Sequence, residues 1–340
     1  MRRTLLVLAL AAGLQLAACS PTPSEEGTTV RLGYFPNMTH ATAIVGIEEG
    51  LLADALGSDV TLTAQAFNAG PDVIEAIFNG ALDASYIGPN PAINGYIRSN
   101  GEAIRIIAGA TSGGAALVVR EGIASADDLA GTTLATPQLG NTQDVALRAW
   151  LAEAGLETDL EGGGDVSIAP QANGQTLEAF VAGEIDGAWV PEPWATRMVN
   201  EGGGTVLVDE ADLWPDGEFV TTHLIVATEF LEEHPDVVKR LLIGHVAAND
   251  FVNDQRDEAQ AVVGTALAEL TGSELPEGTL AEAWEHLAFT VDPISTSLVE
   301  SANHQLEMGL IDSADLDGIY ELSLLNEVLR EAGRPEVPVP

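Results

Sequence analysis

Gly183-Glu-Ile-Asp-Gly-Ala-Trp-Val-Pro-Glu-Pro-Trp194 decides how this chain is read. Gly183 marks a turn, Ile185 to Val190 reads as a short buried strand, and Pro191 and Pro193 mark a sharp elbow into a helix. Proline suits a first helical turn and bars an earlier start, because its ring fixes φ and removes an N–H. Gly80-Ala-Leu-Asp-Ala-Ser-Tyr-Ile-Gly-Pro-Asn-Pro91 repeats the same order of glycine, aliphatic, aspartate, small, aromatic, aliphatic and closing Pro-x-Pro. Upstream, Val73-Ile-Glu-Ala-Ile-Phe-Asn-Gly80 lies over Thr176-Leu-Glu-Ala-Phe-Val-Ala-Gly183 in the same register. Two copies of one helix–strand–elbow unit predict two similar lobes.

The rest of the chain fills in both lobes. Val30 to Phe35 reads as a first strand and Thr39 to Leu52 as a helix with Ala43, Ile44, Ile47 and Leu51 at helical spacing. A second strand, Val60 to Phe67, precedes the first elbow unit (helix Asp72 to Asn79, strand Leu82 to Ile87, helix from Asn90) and Ile104 to Ala110 is a further strand. Thr111-Ser-Gly-Gly114 looks like a crossing between lobes. Thr132 to Thr136, then a helix from Thr142 to Ala154, repeat the start of the first lobe, with Thr39-His-Ala-Thr-Ala-Ile44 over Thr142-Gln-Asp-Val-Ala-Leu147. Phe219 to Ala227 returns the chain, and the remainder reads as helices: 235–252, 258–270, 280–289, 294–308 and 319–331. The expected architecture is α/β, two lobes of mostly parallel sheet flanked by helices with a hinge: residues 30–112 and 223–340 in lobe one, 113–222 in lobe two.

Ligands of parallel α/β sheets sit at the carboxyl ends of the strands. Four strand-to-helix turns therefore face a cleft, at Asn37–His40, Gly88–Asn90, Gly140–Thr142 and Pro191–Trp194. Helix N-termini offer unpaired amides and a positive dipole end, so several converging on one point bind an anion without lysine or arginine. Asn37 or Thr39 caps the first helix, and Asn141 and Thr142 occupy the equivalent place in lobe two; capping and ligand contact are compatible roles. Ser85 belongs to the first elbow. Tyr86 and Trp189 hold equivalent places at strand ends and are expected to form cleft walls. His40 at a helix start and His223 at the return crossing either line the site or close local hydrogen bonds. Glu192 would repel an anion unless it pairs with Arg197 or binds an amino group; otherwise it is a first-turn acid. Trp194 closes the second elbow.

At 340 residues and 46% apolar composition the chain makes a folded protein of about two domains. Acidic residues number 52 against 13 basic, and Lys239 is the only lysine. Such a surface repels nucleic acid and anionic membranes, and it reflects either a saline habitat or a lineage-wide bias. No metal or cofactor motif is present: there is no Gly-x-x-x-x-Gly-Lys, no His-Glu-x-x-His, no Gly-x-Ser-x-Gly and no acid–base carboxylate pair. Asp83 and Asp186, at one place in the repeat, read as turn-stabilising groups.

Arg2, Arg3 and the apolar run Leu5 to Leu14 read as a secretory signal over residues 1–18, too short for a membrane span. Leu16-Ala-Ala-Cys19 resembles a bacterial lipobox, which would make Cys19 the lipid-attachment residue; the alternative is an ordinary signal with an incidental cysteine. Residues 19–29 are then a Pro-rich tether.

The chain resembles the sulfonate, nitrate and taurine-binding proteins of ABC importers in four places: Arg31-Leu-Gly-Tyr-Phe-Pro36, Asp83-Ala-Ser-Tyr-Ile-Gly-Pro89, Gly140-Asn-Thr142 and Pro191-Glu-Pro-Trp194. The resemblance implies a type II periplasmic-binding-protein fold that closes like a hinge on a small ligand. It also implies a monomeric, non-enzymatic receptor, lipid-anchored outside the cytoplasmic membrane, that delivers an alkanesulfonate-like anion to a membrane permease. Two alternatives stand beside it: a dehydratase-like enzyme on the same fold, or a carrier of a neutral or amine-bearing nutrient.

Overall fold

The computed structural model describes residues 27–339. The expected signal, Cys19 and most of the tether lie outside the described residues. The strands are β1 (Thr28–Tyr34), β2 (Val60–Ala66), β3 (Ala84–Ile87), β4 (Ile104–Gly113), β5 (Ala115–Val119), β6 (Thr133–Thr136), β7 (Ser167–Pro170), β8 (Gly187–Pro191), β9 (Thr205–Asp209), β10 (Val220–Ala227) and β11 (Leu287–Phe289). They form two sheets, in the orders β11-β4-β10-β3-β1-β2 and β7-β6-β8-β5-β9. The chain leaves the first sheet at Gly113 and is back in it at Val220, within the expected returning strand Phe219 to Ala227. β1 likewise begins inside the expected tether, Thr28 pairing with Val60.

The α/β reading holds, but the sheets are mixed rather than mostly parallel. β1–β2, β1–β3, β6–β7 and β6–β8 are parallel. β10 runs antiparallel to β3 and β4, and β5 antiparallel to β8 and β9. The cause is the crossing itself: a strand that enters a lobe from the other lobe runs against those that β–α units lay down.

Each sheet is covered on both faces. Val30, Leu32, Leu224 and Val226 face the C-terminal helices across one side of the first sheet, while Ile87, Ile104, Ile106 and Ile225 pack the other. Val118, Ala188 and Val190, opposed to Leu117, Leu134 and Trp189, do the same in the second. Two helix expectations fail. Gly50, at φ 71°, breaks the expected Thr39–Leu52 helix into Ala41–Glu48 and Leu51–Leu56. The helix expected over 280–289 ends at Trp284, and Leu287–Phe289 becomes an edge strand against β4. Its alternation of side chains could not be told from a helical face over so short a run.

The repeat is structural as well as textual. Asp83 accepts the Arg31 amide at 2.8 Å, and Asp186 accepts the Thr133 amide at 2.8 Å, each tying the elbow strand of a lobe to its first strand. Gly113 and Gly114 make the outgoing crossing with φ of 77° and 74°; a Cβ on Gly113 would sit 2.6 Å from the His286 carbonyl oxygen.

The turn after β6 is held by a buried ion pair. Asp144 accepts from Thr136 Oγ1 (2.9 Å), from the Gly140 amide (3.0 Å) and from Arg148 Nε (3.0 Å), with Asp144 fully buried and Arg148 2% exposed. Removing one member strands the other charge, which costs about 3–5 kcal/mol in such settings. Asp144→Ala is therefore expected to lower stability by that amount in urea unfolding; a loss under about 1 kcal/mol would show the pair to be dispensable.

Candidate functional site

The carboxyl ends of β1, β3, β6 and β8 converge where the lobes meet, around a small polar cavity of about 20 Å³. Of the expected residues, Asn37, Thr39, His40, Asn141 and Thr142 line it. Phe35, Asn68, Gly88, Gln143, Asn173 and Thr221 join them. The lining carries no lysine, arginine, aspartate or glutamate.

Its donors are neutral groups held by local bonds. The His40 ring is fully buried, which pushes its pKa down to about 3. Its Nδ1 accepts the Phe35 amide at 3.3 Å, so the ring proton resides on Nε2, the remaining edge of the imidazole. Asn37 accepts the Trp194 indole N–H at 2.9 Å through Oδ1, leaving its amide nitrogen as a donor. Thr142 Oγ1 is buried without a partner, as is Asn173 Oδ1. In the Thr142–Glu153 helix the amides of Asp144 and Val145 both turn back to the Asn141 carbonyl. That leaves Thr142 and Gln143 as the first-turn donors at this end.

The two Pro-x-Pro elbows contribute less than expected. Pro89, Pro91 and Pro193 lack amide protons, and the Glu192 amide is spent on the Gly114 carbonyl at 2.9 Å. The elbows set direction and spacing; donors come from the other turns.

Several expected site residues lie elsewhere. Tyr86 and Trp189 are fully buried core residues, not cleft walls: Tyr86 Oη bonds His245 Nδ1 at 2.9 Å, and Trp189 Nε1 donates to Glu210 Oε2 at 2.7 Å. Their polar tips found internal partners, which removed any reason to reach the cleft. Ser85 Oγ donates to the Tyr86 carbonyl within its own strand. His223 bonds the Pro293 carbonyl at 3.0 Å through Nε2 and stands edge-on to Tyr320, away from the cavity. Trp194 braces the site through Asn37 rather than lining it. Glu192 turns away altogether. Its carboxylate accepts from the Thr196 amide (3.1 Å) and Thr196 Oγ1 (3.0 Å), and Arg197 pairs with Glu201 instead.

Glu192 faces a separate cavity of about 230 Å³ that also holds Asp209, Glu282 and His286. Burial pushes its carboxyl up to about 7 against the two Thr196 bonds, with Glu282 and Asp209 adding to the rise. A carboxyl raised in the fold stabilises below its ordinary pKa and loses that contribution as pH climbs through 7. Glu192→Gln should thus stabilise the protein at pH 8 by roughly 2–3 kcal/mol, by removing a charge that burial disfavours, and do nothing near pH 4. Thermal melts of both proteins across pH 4–8 check it; a difference independent of pH would contradict the assignment.

The sequence reading missed Asn68, Asn173, Gln143 and Thr221. Asn68 and Asn173 were within reach, since each follows the second parallel strand of its lobe and the repeat that marked four turns contains two more. Thr221 owes its place to the register of β10, which no local pattern encodes.

Residues 23–268 match the NMT1-like family, and the chain belongs to that family. A protein of Brucella abortus named as a binding protein is 29% identical over 253 residues, 74% of each chain. The taurine-binding periplasmic protein of Escherichia coli is 24% identical over 271 residues, 76% of this chain and 82% of that one. Among solved structures, the alkanesulfonate-binding protein of Xanthomonas axonopodis pv. citri, bound to MOPS, superposes with a TM-score of 0.71 at 18% identity, over 85% of this chain and 96% of that one. The fold is thus that of the periplasmic binding proteins, and the similar proteins are named for binding rather than catalysis. No helix among the described residues is long and apolar enough to cross a membrane. No group of three or more His, Cys, Asp or Glu there could hold a metal ion.

Closure leaves no slack. A Cβ on Gly88 would fall 2.4 Å from Thr142 Oγ1 across the cleft. Gly88→Ala is expected to hold the lobes apart, raising the radius of gyration in small-angle scattering with little change in melting temperature. An unchanged scattering curve would show that Thr142 can yield.

Proposed function

We propose that this protein is the solute receptor of an ABC importer, capturing one small organic anion of the alkanesulfonate type between its lobes and passing it to a membrane permease. The observation that carries this reading is the cavity lined by Asn37, Thr39, His40, Asn141 and Thr142, rich in neutral donors and free of side-chain charge of either sign. Neutral dipoles fixed around a desolvated anion stabilise it without a counter-charge. At the present lobe separation the space suits about one water molecule, so a solute enters only when the lobes part and then close on it. The taurine, sulfonate and binding-protein relatives support the class.

The location we propose is the outer face of the cytoplasmic membrane, with the acyl anchor on Cys19 and the chain acting as a monomer. An amine-bearing ligand held by Glu192 is disfavoured, because that carboxylate points into the other cavity.

Calorimetry with the protein lacking residues 1–18 tests the ligand class against ethanesulfonate, taurine, nitrate and bicarbonate. One of them is expected to bind one per chain. Thr142→Val and His40→Phe should each weaken it by about 1–3 kcal/mol by deleting a buried donor. Silence across the whole panel would overturn the proposed ligand class.

A further inference from the structure

A larger cavity lies beside the polar one, and nothing in the proposed transport cycle uses it. It holds about 460 Å³ between the Thr142–Glu153 helix of the second lobe, the Ser295–Glu307 helix of the first, and the chain returning through 213–220. That volume is in the range of sites for small organic molecules. We propose that this groove is a second ligand site, for a small organic cation with a flat apolar face.

The walls supply the flat surface. Trp150 lines the groove, as do Trp214 and Phe219, which stack at 5.6 Å with 10° between their planes. Val145 and Ala149 add apolar surface to the lining. Rings so placed bury a flat molecule and attract positive charge to their faces.

The charge is all of one sign. Glu210 lies at the base, 2% exposed, its carboxylate held by the Trp189 indole N–H and by the Trp214 side chain. Glu153, Glu218 and Glu300 stand at the exposed rim, and no lysine or arginine lines the groove. His304 is the one lining base, and it lies 3.6 Å from Glu300. An anion would meet this field unaided, whereas an amidinium or ammonium would pair with it in a partly desolvated setting.

A second observation points to a ligand. Thr142, 5% exposed, lines this groove as well as the polar cavity, and its Oγ1 has no hydrogen-bond partner. A buried hydroxyl left unpaired is costly, and a ligand group reaching it from either cavity would satisfy it. The groove shares Thr142 with the polar cavity and is walled by both lobes.

Benzamidine, a planar cation, is the probe, with benzoate as its isosteric anion. Titration followed by the fluorescence of the five tryptophans, with stoichiometry from equilibrium dialysis at about 0.15 M salt, should show one saturable benzamidine site and none for benzoate. Ala149→Trp fills the groove and should weaken benzamidine about tenfold or more. The double variant Glu153→Gln/Glu300→Gln, changed only at exposed positions, should weaken it several-fold. Glu210→Gln, which keeps an acceptor for Trp189, should weaken it further. No saturable site for benzamidine would overturn the proposal, as would equal binding of benzoate or unchanged binding in Ala149→Trp. Anion binding in the polar cavity is read separately by the calorimetric panel.

Discussion

One contact between the lobes sets the rest of the site. The Trp194 indole N–H donates to Asn37, and the Met38 amide donates to the Glu192 carbonyl at 3.0 Å, so the first turn of lobe one is clamped to the elbow of lobe two. Both bonds are buried, and each would be exchanged for water if the lobes separated, so their net worth is modest, about 1 kcal/mol apiece. A clamp of that strength closes reversibly. It also explains why the elbow carries prolines: the segment must arrive in a fixed direction, and it need not supply amides to a ligand.

Around that clamp the electrostatics divide by compartment. The polar cavity contains no side-chain charge, and its only titratable group, His40, is kept neutral by burial. The carboxylates gather in the two flanking cavities, where Glu192 and Glu210 are both pushed up to about 7 by burial. Separation of this kind lets a strongly acidic protein retain a neutral centre. On the proposed function, anion recognition falls to fixed dipoles at close range, where they act undiluted by water.

The sequence made the duplicated architecture legible because the repeat is written in residues with rigid backbone consequences: Gly183, Pro191 and Pro193 against Gly80, Pro89 and Pro91. It placed Asn37, Thr39, His40, Asn141 and Thr142 at the cleft for the same reason, since strand-to-helix turns follow from order alone. It misjudged Tyr86 and Trp189 because a polar-tipped aromatic looks the same whether its partner is solvent, a ligand, or a distant residue such as His245 or Glu210. It left Glu192 open between a ligand contact and a first-turn acid, because such an acid swings through a wide arc, and only the position of Thr196 decides where it points. Sheet direction at the crossings was equally hidden, being a property of the path between lobes.

The proposed capture in the polar cavity requires two lobes that close around a solute, and paired spin labels measure that directly. Nitroxides at Asp54 and Glu178, exposed positions on opposite lobes, report the interlobe distance by dipolar spectroscopy. Without ligand the distribution should be broad. It should narrow to one shorter distance on adding the sulfonate or other anion that binds, with Gly88→Ala failing to reach it. One unchanging distribution in all these conditions would rule out closure as the means of capture.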